Sequence, residues 1–121
     1  MEDYKNIRIS LDADVIVDEI IQKFCFPTRV SVMRFAFAYA LRDYKNEIDF
    51  EGLDNVYEKN GTNLNTGTFD DQNMIIRSLI ITLFPNCETP YKYARVAIIY
   101  GLNRIKEKMT ANPSFSLTDI M

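Results

Sequence analysis

The chain has 121 residues, a formal net charge of −3 and an apolar share of 47%, which is the composition of one ordinary globular domain. It contains no histidine and two cysteines, which excludes Ser-His or Cys-His nucleophilic chemistry and the usual four-ligand zinc site. We therefore predict a protein that is not an enzyme and that has no cofactor and no metal.

The sequence shows no sign of export or of a membrane span. Residues 1–5 have neither a basic n-region nor an apolar h-region. No apolar run approaches the length of about 18 residues that a membrane helix needs. We expect a cytoplasmic protein without membrane contact.

Residues 5–11 alternate between apolar and polar side chains, as a half-buried strand does. The apolar set is Ile7, Ile9 and Leu11, and the outward set is Asn6, Arg8 and Ser10. No later segment offers an obvious partner strand. Because an unpaired strand leaves its backbone groups open, we expect pairing with the same strand of a second chain.

Two helices are predicted next. Residues 12–25 have helical spacing and a cap at Asp12 or Asp14. Residues 28–44 begin with Thr28 as the N-cap and are apolar on nearly every side, which predicts the central core helix. Its small residues would allow close helix approach; they are Ala36, Ala38 and Ala40.

Strand, helix and helix over residues 1–46 form the order of a ribbon-helix-helix protein, in which two chains pair their strands into a ribbon that enters a DNA groove. Arg8 would then face base edges, or it would simply lie on the solvent-exposed face of the strand. Thr28, Arg29 and the first amides of the second helix would suit a phosphate.

Residues 47–68 are polar, rich in glycine and asparagine, and predict a loop. The cluster around Gly61, Asn65 and Thr68 would form either an anion-binding cradle of backbone amides or a surface loop held by its own Asn and Thr side chains.

Residues 69–109 predict a helical pair, and residues 110–121 a loose tail. Thr68 would cap the first helix with Asp71, and Thr89-Pro90 opens a second helix that runs to about Met109. The adjacent carboxylates of Asp70 and Asp71 would suit a metal-dependent nuclease, or would serve the helix dipole.

The last helix is basic although the chain is acidic. Residues 90–109 carry a charge of about +4, so the remaining residues carry about −7. The basic residues are Lys92, Arg95, Arg104, Lys106 and Lys108. They predict a phosphate-binding face, although those near the helix end would also complement the helix dipole.

Three stretches resemble the DndE family of small proteins encoded with bacterial DNA phosphorothioation systems. They are Ile7-Arg8-Ile9-Ser10-Leu11, Pro27-Thr28 leading to Arg34-Phe35-Ala36, and Gly61-x-x-x-Asn65-x-x-Thr68-Phe69. Asn63 and Thr66 stand where the family has an acidic and a basic residue. The resemblance implies a helical, ribbon-helix-helix-like oligomer that binds DNA and works beside sulfur-modification proteins. It does not imply a catalytic centre.

The sequence therefore predicts a mainly α single domain, with a short N-terminal strand, about four helices and a ribbon-helix-helix-like N-terminal half. We expect a homo-oligomer that binds double-stranded DNA, intact or nicked, mainly through phosphates. The predicted contacts are Arg8, Arg29, Arg34, Lys92, Arg95, Arg104, Lys106 and Lys108. The alternatives are an acidic, phage- or defence-related adaptor or inhibitor that binds protein without DNA contact, and a ribbon-helix-helix repressor.

Overall fold

The computed structural model describes residues 2–70 and 73–121, which are mainly helical. The strands are β1 (Asn6–Arg8) and β2 (Asn63–Asn65). The helices are α1 (Leu11–Phe24), α2 (Arg29–Tyr44), α3 (Phe50–Val56), α4 (Thr66–Phe69), α5 (Ile75–Leu83) and α6 (Pro90–Ala111), followed by a 3₁₀ turn, Leu117–Asp119. Within these ranges no helix is long and apolar enough to cross a membrane. The predicted fold class is confirmed.

The core is built on the packing of α2 against α6. Thr28 caps α2 as predicted, because its hydroxyl accepts from the Ser31 amide at 3.1 Å. In the middle of the crossing, a Cβ on Gly101 would lie 2.1 Å from the carbonyl oxygen of Ala36. Glycine on one helix and alanine on the other therefore set the short distance between the two helices.

Strand β1 pairs with β2 of the same chain, so the prediction that it has no intramolecular partner is wrong. The pairing is antiparallel, with Ile7 opposite Leu64. The carbonyl of Arg8, which points away from β2, accepts from Arg95 of α6. The order strand, helix, helix is present, but both edges of β1 make contacts within the chain. A ribbon built from two chains, as the repressor alternative requires, has no support in this arrangement.

Helix α1 is capped by Ser10 and not by Asp12 or Asp14. The Ser10 hydroxyl accepts from the amide of Ala13 at 3.2 Å, which buries Ser10 instead of leaving it on the outer face of the strand. Leu11, predicted to face inward, is 56% exposed because it is the first residue of the helix.

Residues 47–68 contain α3 and β2 where the sequence predicted a loop. Asp49 caps α3 by accepting from the Gly52 amide at 3.2 Å. Phe50 anchors the helix to the core, with its ring stacked on that of Tyr93 at a centroid distance of 4.4 Å. A helix of seven residues and a strand of three are too short to show a clear period in the sequence.

The helix predicted from Thr68 begins only at Ile75. Thr68 lies in the short helix α4, and its predicted capping partner, Asp71, lies outside the described residues. Met74 has a φ of 51°, a left-handed conformation that is uncommon for residues other than glycine and that cannot continue a right-handed helix. Helix α5 is therefore shorter than its apolar pattern suggested.

Helix α6 begins at Pro90 after Thr89, as predicted, and runs to Ala111. The segment after it is packed and not loose. Phe115 is buried with its ring edge against Phe24, and Ile120 is also buried. Phe115 and Ile120 therefore belong to the core and anchor a segment whose other residues are exposed or partly exposed.

Candidate nucleic-acid interface

The outward face of the β1–β2 sheet is polar and exposed. Asn6 lies opposite Asn65, and Arg8 lies opposite Asn63. Because side chains alternate along a strand, Ile7 between these two pairs points into the core. The sheet therefore presents three amides and one guanidinium to solvent, and the predicted outward positions of Asn6 and Arg8 are confirmed.

A cavity of about 260 Å³ lies beside this face. It is lined by Tyr4, Asn6, Arg8, Lys59, Asn63 and Arg95. The ammonium groups of Lys59 and Lys92 lie 5.2 and 5.7 Å from the centroid of the Tyr4 ring, each a cation–π contact of about 0.5–1 kcal/mol. We call the following set the cationic site: Tyr4, Asn6, Arg8, Lys59, Asn63 and Lys92.

Arg95 forms the floor of the cavity and is fully buried, so its predicted contact with DNA is wrong. Its Nε donates to the Arg8 carbonyl at 2.6 Å, and one terminal nitrogen donates to Asp54 Oδ1 at 2.9 Å. The other donates to the carbonyls of Tyr57 and Glu58 at 2.8 and 2.7 Å. These partners replace water around a buried charge, which would otherwise be costly. Arg95 thereby ties β1 to the end of α3, next to Lys59.

Tyr4 is held in place by the same buried pair. Its hydroxyl donates to Asp54 Oδ2 at 2.7 Å. The neighbouring carboxylate of Asp3 accepts from the amides of Tyr91 and Lys92 at 2.9 and 3.0 Å, a favourable place for a negative charge at the N-terminus of α6. Two anchors therefore fix the N-terminal segment and the orientation of the Tyr4 ring.

Arg29 and Arg34, two of the predicted phosphate contacts, are engaged within the chain. Arg29 pairs with Asp14 and Asp18 of α1. Arg34 donates to two backbone carbonyls of α4, each at 3.0 Å. Both guanidinium groups join α2 to neighbouring segments, and the structure does not bring them into the cationic site.

Three further predicted contacts lie at the C-terminal end of α6, about 20 Å along the helix from the cationic site: Arg104, Lys106 and Lys108. Arg104 lies over the rings of Tyr44 and Tyr100 at 4.9 and 5.0 Å. The hydrogen bond that it donates to the Tyr100 hydroxyl oxygen, at 2.7 Å, is the main cause that raises the pKa of Arg104. Lys106 pairs with Glu19 of α1. Of the predicted contacts, Arg8 and Lys92 fall in the cationic site, and the eight do not share one face.

The segment with Gly61, Asn65 and Thr68 does not form the anion cradle considered from the sequence. The Gly61 amide donates to the carbonyl of Ile9 at 2.8 Å, and a Cβ on Gly61 would lie 2.6 Å from that oxygen. Asn65 caps α4 by accepting from the Gly67 amide at 2.8 Å. These groups bond within the chain, which agrees with the alternative of a segment held by its own side chains.

Asp70 is a structural cap. Its buried carboxylate accepts from the amides of Ile76 and Arg77 at 3.0 and 2.9 Å, and from the Tyr91 hydroxyl at 2.8 Å. Desolvation, followed by this hydrogen bond, raises the pKa of Tyr91 to about 12. In the part of the chain that the structure describes, which excludes Asp71, no group of three His, Cys, Asp or Glu side chains is placed to hold a metal.

Comparisons with protein-family models, with curated proteins and with solved structures found no match to this chain. The resemblance to the DndE family therefore stays a prediction from the motifs in the sequence.

Three members of the cationic site were missed from the sequence: Tyr4, Lys59 and Asn63. The signal that would have found them is the alternation in Asn63-Leu64-Asn65, which matches that of β1. Pairing the two segments places Asn63 opposite Arg8 and brings the preceding Lys59 close to the same surface.

Proposed function

We propose that this protein is a non-catalytic DNA-binding protein that holds phosphate groups at the cationic site. The observation that carries the proposal is that Arg8 and Lys59 line one cavity together with Tyr4, while the Lys92 ammonium group lies 5.7 Å from the centroid of the same Tyr4 ring. Three positive side chains close together attract a phosphate backbone even when the whole chain is acidic, because screening limits the repulsion from distant carboxylates.

The broader role rests on the resemblance in the sequence. We infer a cytoplasmic accessory protein of a bacterial DNA phosphorothioation or defence system, working beside sulfur-modification proteins. The motif Gly61-x-x-x-Asn65-x-x-Thr68-Phe69 carries this inference. In the structure this motif shapes the turn and the strand β2 that bring Asn63 to the cationic site.

The number of cations in the site sets the expected dependence on salt. Three phosphate contacts give a slope of about −2.7 for log K against log salt concentration on duplex DNA. A protein that used all eight predicted basic residues would show a slope of about −7. Measuring the slope therefore tests how many of the cations contact DNA.

The decisive experiment compares two variants that each lose two positive charges. Lys59→Gln with Lys92→Gln changes the cationic site, and Lys106→Gln with Lys108→Gln changes the far end of α6. We expect the first variant to lose at least about tenfold in DNA affinity at low salt and to flatten the slope by about 1.8, because two of its phosphate contacts are gone. The second should bind as the unchanged protein does. Equal losses in the two variants, or no loss in the first, would overturn the proposed site.

A homo-oligomer is part of the proposal and rests on an apolar groove between α2 and α5. The groove has a volume of about 330 Å³ and is lined by Ala38, Leu41, Arg42, Lys45, Leu79 and Leu83. Its basic rim suits an acidic partner, and α1 of a second copy exposes Leu11 and Val15 beside Asp12. Contact between two different surfaces of this kind would be head-to-tail.

Light scattering across a range of concentrations tests this contact. We expect Leu79→Asp in the groove and Val15→Asp on α1 each to give a monomer, and a mixture of the two variants to stop at a dimer, because each keeps one intact surface. If the unchanged protein is a monomer at every concentration, self-association is wrong, and the exposed groove would favour the adaptor alternative.

A further inference from the structure

We propose that the cationic site takes one unpaired nucleotide of a single strand, with its base against the ring of Tyr4 and its phosphate between the basic side chains. This inference rests on the proposed nucleic-acid function and names the form of nucleic acid that the site selects. The site combines an aromatic ring, two amides and three cations, and these are the groups that recognise a base face, a base edge and a phosphate.

The shape of the site favours an unpaired base. Tyr4 is half-buried in the wall of a cavity of about 260 Å³. In a duplex the faces of the bases are covered by their neighbours, so a recessed aromatic ring reaches only a base that has left the stack. The phosphates of a duplex can approach Arg8 and Lys59 at the rim, but they leave the ring unused.

The Tyr4 ring is held in one orientation. The hydrogen bond from the Tyr4 hydroxyl to Asp54, at 2.7 Å, fixes its orientation before a ligand arrives. Lys59 and Lys92 now lie over the ring. An incoming phosphate attracts both ammonium groups, so a base can replace them on the ring while the two positive charges keep an anionic partner.

The amides supply the polar contacts. Asn6 and Asn63 lie on neighbouring strands of the same sheet face and are both exposed. Each carries a donor and an acceptor, so the pair can bond to the edge of any of the bases. The site should therefore distinguish unpaired from paired nucleotides more strongly than one base from another.

The test uses short oligonucleotides that contain 2-aminopurine, whose fluorescence falls when it stacks on an aromatic ring. The chain has no tryptophan, so protein emission does not interfere. We expect the protein to quench the fluorescence of the single-stranded DNA oligonucleotide, and an unlabelled strand to restore it by displacing the labelled one. In the matching duplex we expect little quenching by the protein. The same sequence as RNA shows whether the 2′-hydroxyl matters, and inorganic phosphate shows how much affinity the anion alone supplies.

Two substitutions at Tyr4 make the test specific. Tyr4→Leu removes the ring, and Tyr4→Phe keeps the ring but removes the hydroxyl. We expect Tyr4→Leu to lower single-strand affinity by about fivefold or more and to abolish quenching, whereas Tyr4→Phe keeps both within about threefold. Duplex affinity should change little in either variant.

The outcomes separate this inference from the function on which it rests. Salt-sensitive duplex binding without quenching of the single strand overturns the unpaired-nucleotide site and leaves the DNA-binding proposal standing. If Tyr4→Leu and the unchanged protein bind the single strand with equal affinity, the unpaired-nucleotide site is likewise overturned and the DNA-binding proposal stands. If neither duplex nor single strand binds at low salt, both proposals are wrong.

Discussion

The two ends of helix α6 carry similar numbers of positive side chains but place them in different surroundings. At the N-terminal end, Arg95 is buried beneath the cavity, and Lys92 lies, like Lys59, over the ring of Tyr4. At the C-terminal end, Arg104 lies over two tyrosine rings, and Lys106 is paired with a carboxylate of α1. A count of basic residues along a helix therefore does not define a basic surface. Burial and the position of each charge on the fold decide which surface it can belong to.

The largest difference between the two ends should appear in stability. Arg95→Met leaves the buried Asp54 carboxylate without its cation, which typically costs about 3–5 kcal/mol in the free energy of unfolding. Arg104→Met at the other end removes a half-exposed contact and should cost about 1 kcal/mol or less. Urea unfolding of both variants checks this difference.

A double variant serves as the control for that comparison. Arg95→Met with Asp54→Leu removes both charges, so it should be more stable than Arg95→Met alone. If Arg95→Met and Arg104→Met lowered the free energy of unfolding equally, burial would not be what distinguishes the two ends of α6.

Gly101 lies between the two ends of α6, where the helix crosses α2. Gly101→Ala would place a Cβ 2.1 Å from the Ala36 carbonyl oxygen, so α2 and α6 must move apart. We expect a net loss of about 1–3 kcal/mol from overpacking, even though alanine is the better helix former by about 1 kcal/mol. Gly67→Ala is the matched control, since its nearest neighbour is the side chain of Asn65 at 3.1 Å. A stabilised Gly101→Ala protein would show that the crossing is looser than the structure indicates.

A change of pH tests the contact between Tyr91, near the N-terminal end of α6, and Asp70. Burial and the Asp70 hydrogen bond raise the pKa of Tyr91 from 10.0 to about 12. Because the folded protein holds this proton more tightly than the unfolded chain, the contribution of Tyr91 is complete below pH 10 and is lost as the pH rises to about 12. Thermal unfolding of the protein and of Tyr91→Phe between pH 9 and about 12 measures this loss. The phenylalanine variant should be less stable by about 1 kcal/mol at neutral pH, and the difference should shrink at high pH. If the difference in stability between the two proteins stayed constant across this pH range, the pKa of Tyr91 would not be raised by folding.

The smallest effect is expected at the C-terminal end. Lys106→Gln removes the pair with Glu19, which is partly exposed, so the loss should be about 0.2–1 kcal/mol and should vanish in high salt. Chemical unfolding at two salt concentrations measures it. A loss as large as that of Arg95→Met would mean that the two ends do not differ in the way described.

The sequence predicted the long elements well because their patterns span several turns. The cap at Thr28, the start at Pro90 and the close approach of small residues around Ala36 follow from side-chain chemistry within a few residues. The apolar pattern of α2 indicated its central position for the same reason.

The site was harder to predict because its parts are distant in sequence. Nothing near Arg95 shows that its partners are Asp54 and the carbonyl of Arg8, since such contacts depend on how α3 and β1 pack on α6. Lys59 stands in a segment without a clear hydrophobic period, so the sequence alone does not predict that Lys59 belongs to the site. A charged residue on an apolar helix face, such as Arg95 among Ala94, Val96 and Ala97, is the one local sign of burial.

The pairing of β1 with β2 also affects when, during synthesis, the cationic site can form. The Thr66 hydroxyl donates to the Lys5 carbonyl across 61 positions of the chain, and closing so large a loop carries an entropic cost that local helix contacts do not have. Helices α1 and α2 can form early from contacts near in sequence, whereas the sheet must wait for β2. During synthesis, a nascent chain that has folded its first two helices therefore has no cationic site until β2 has joined β1 and α6, which carries Lys92, has also emerged.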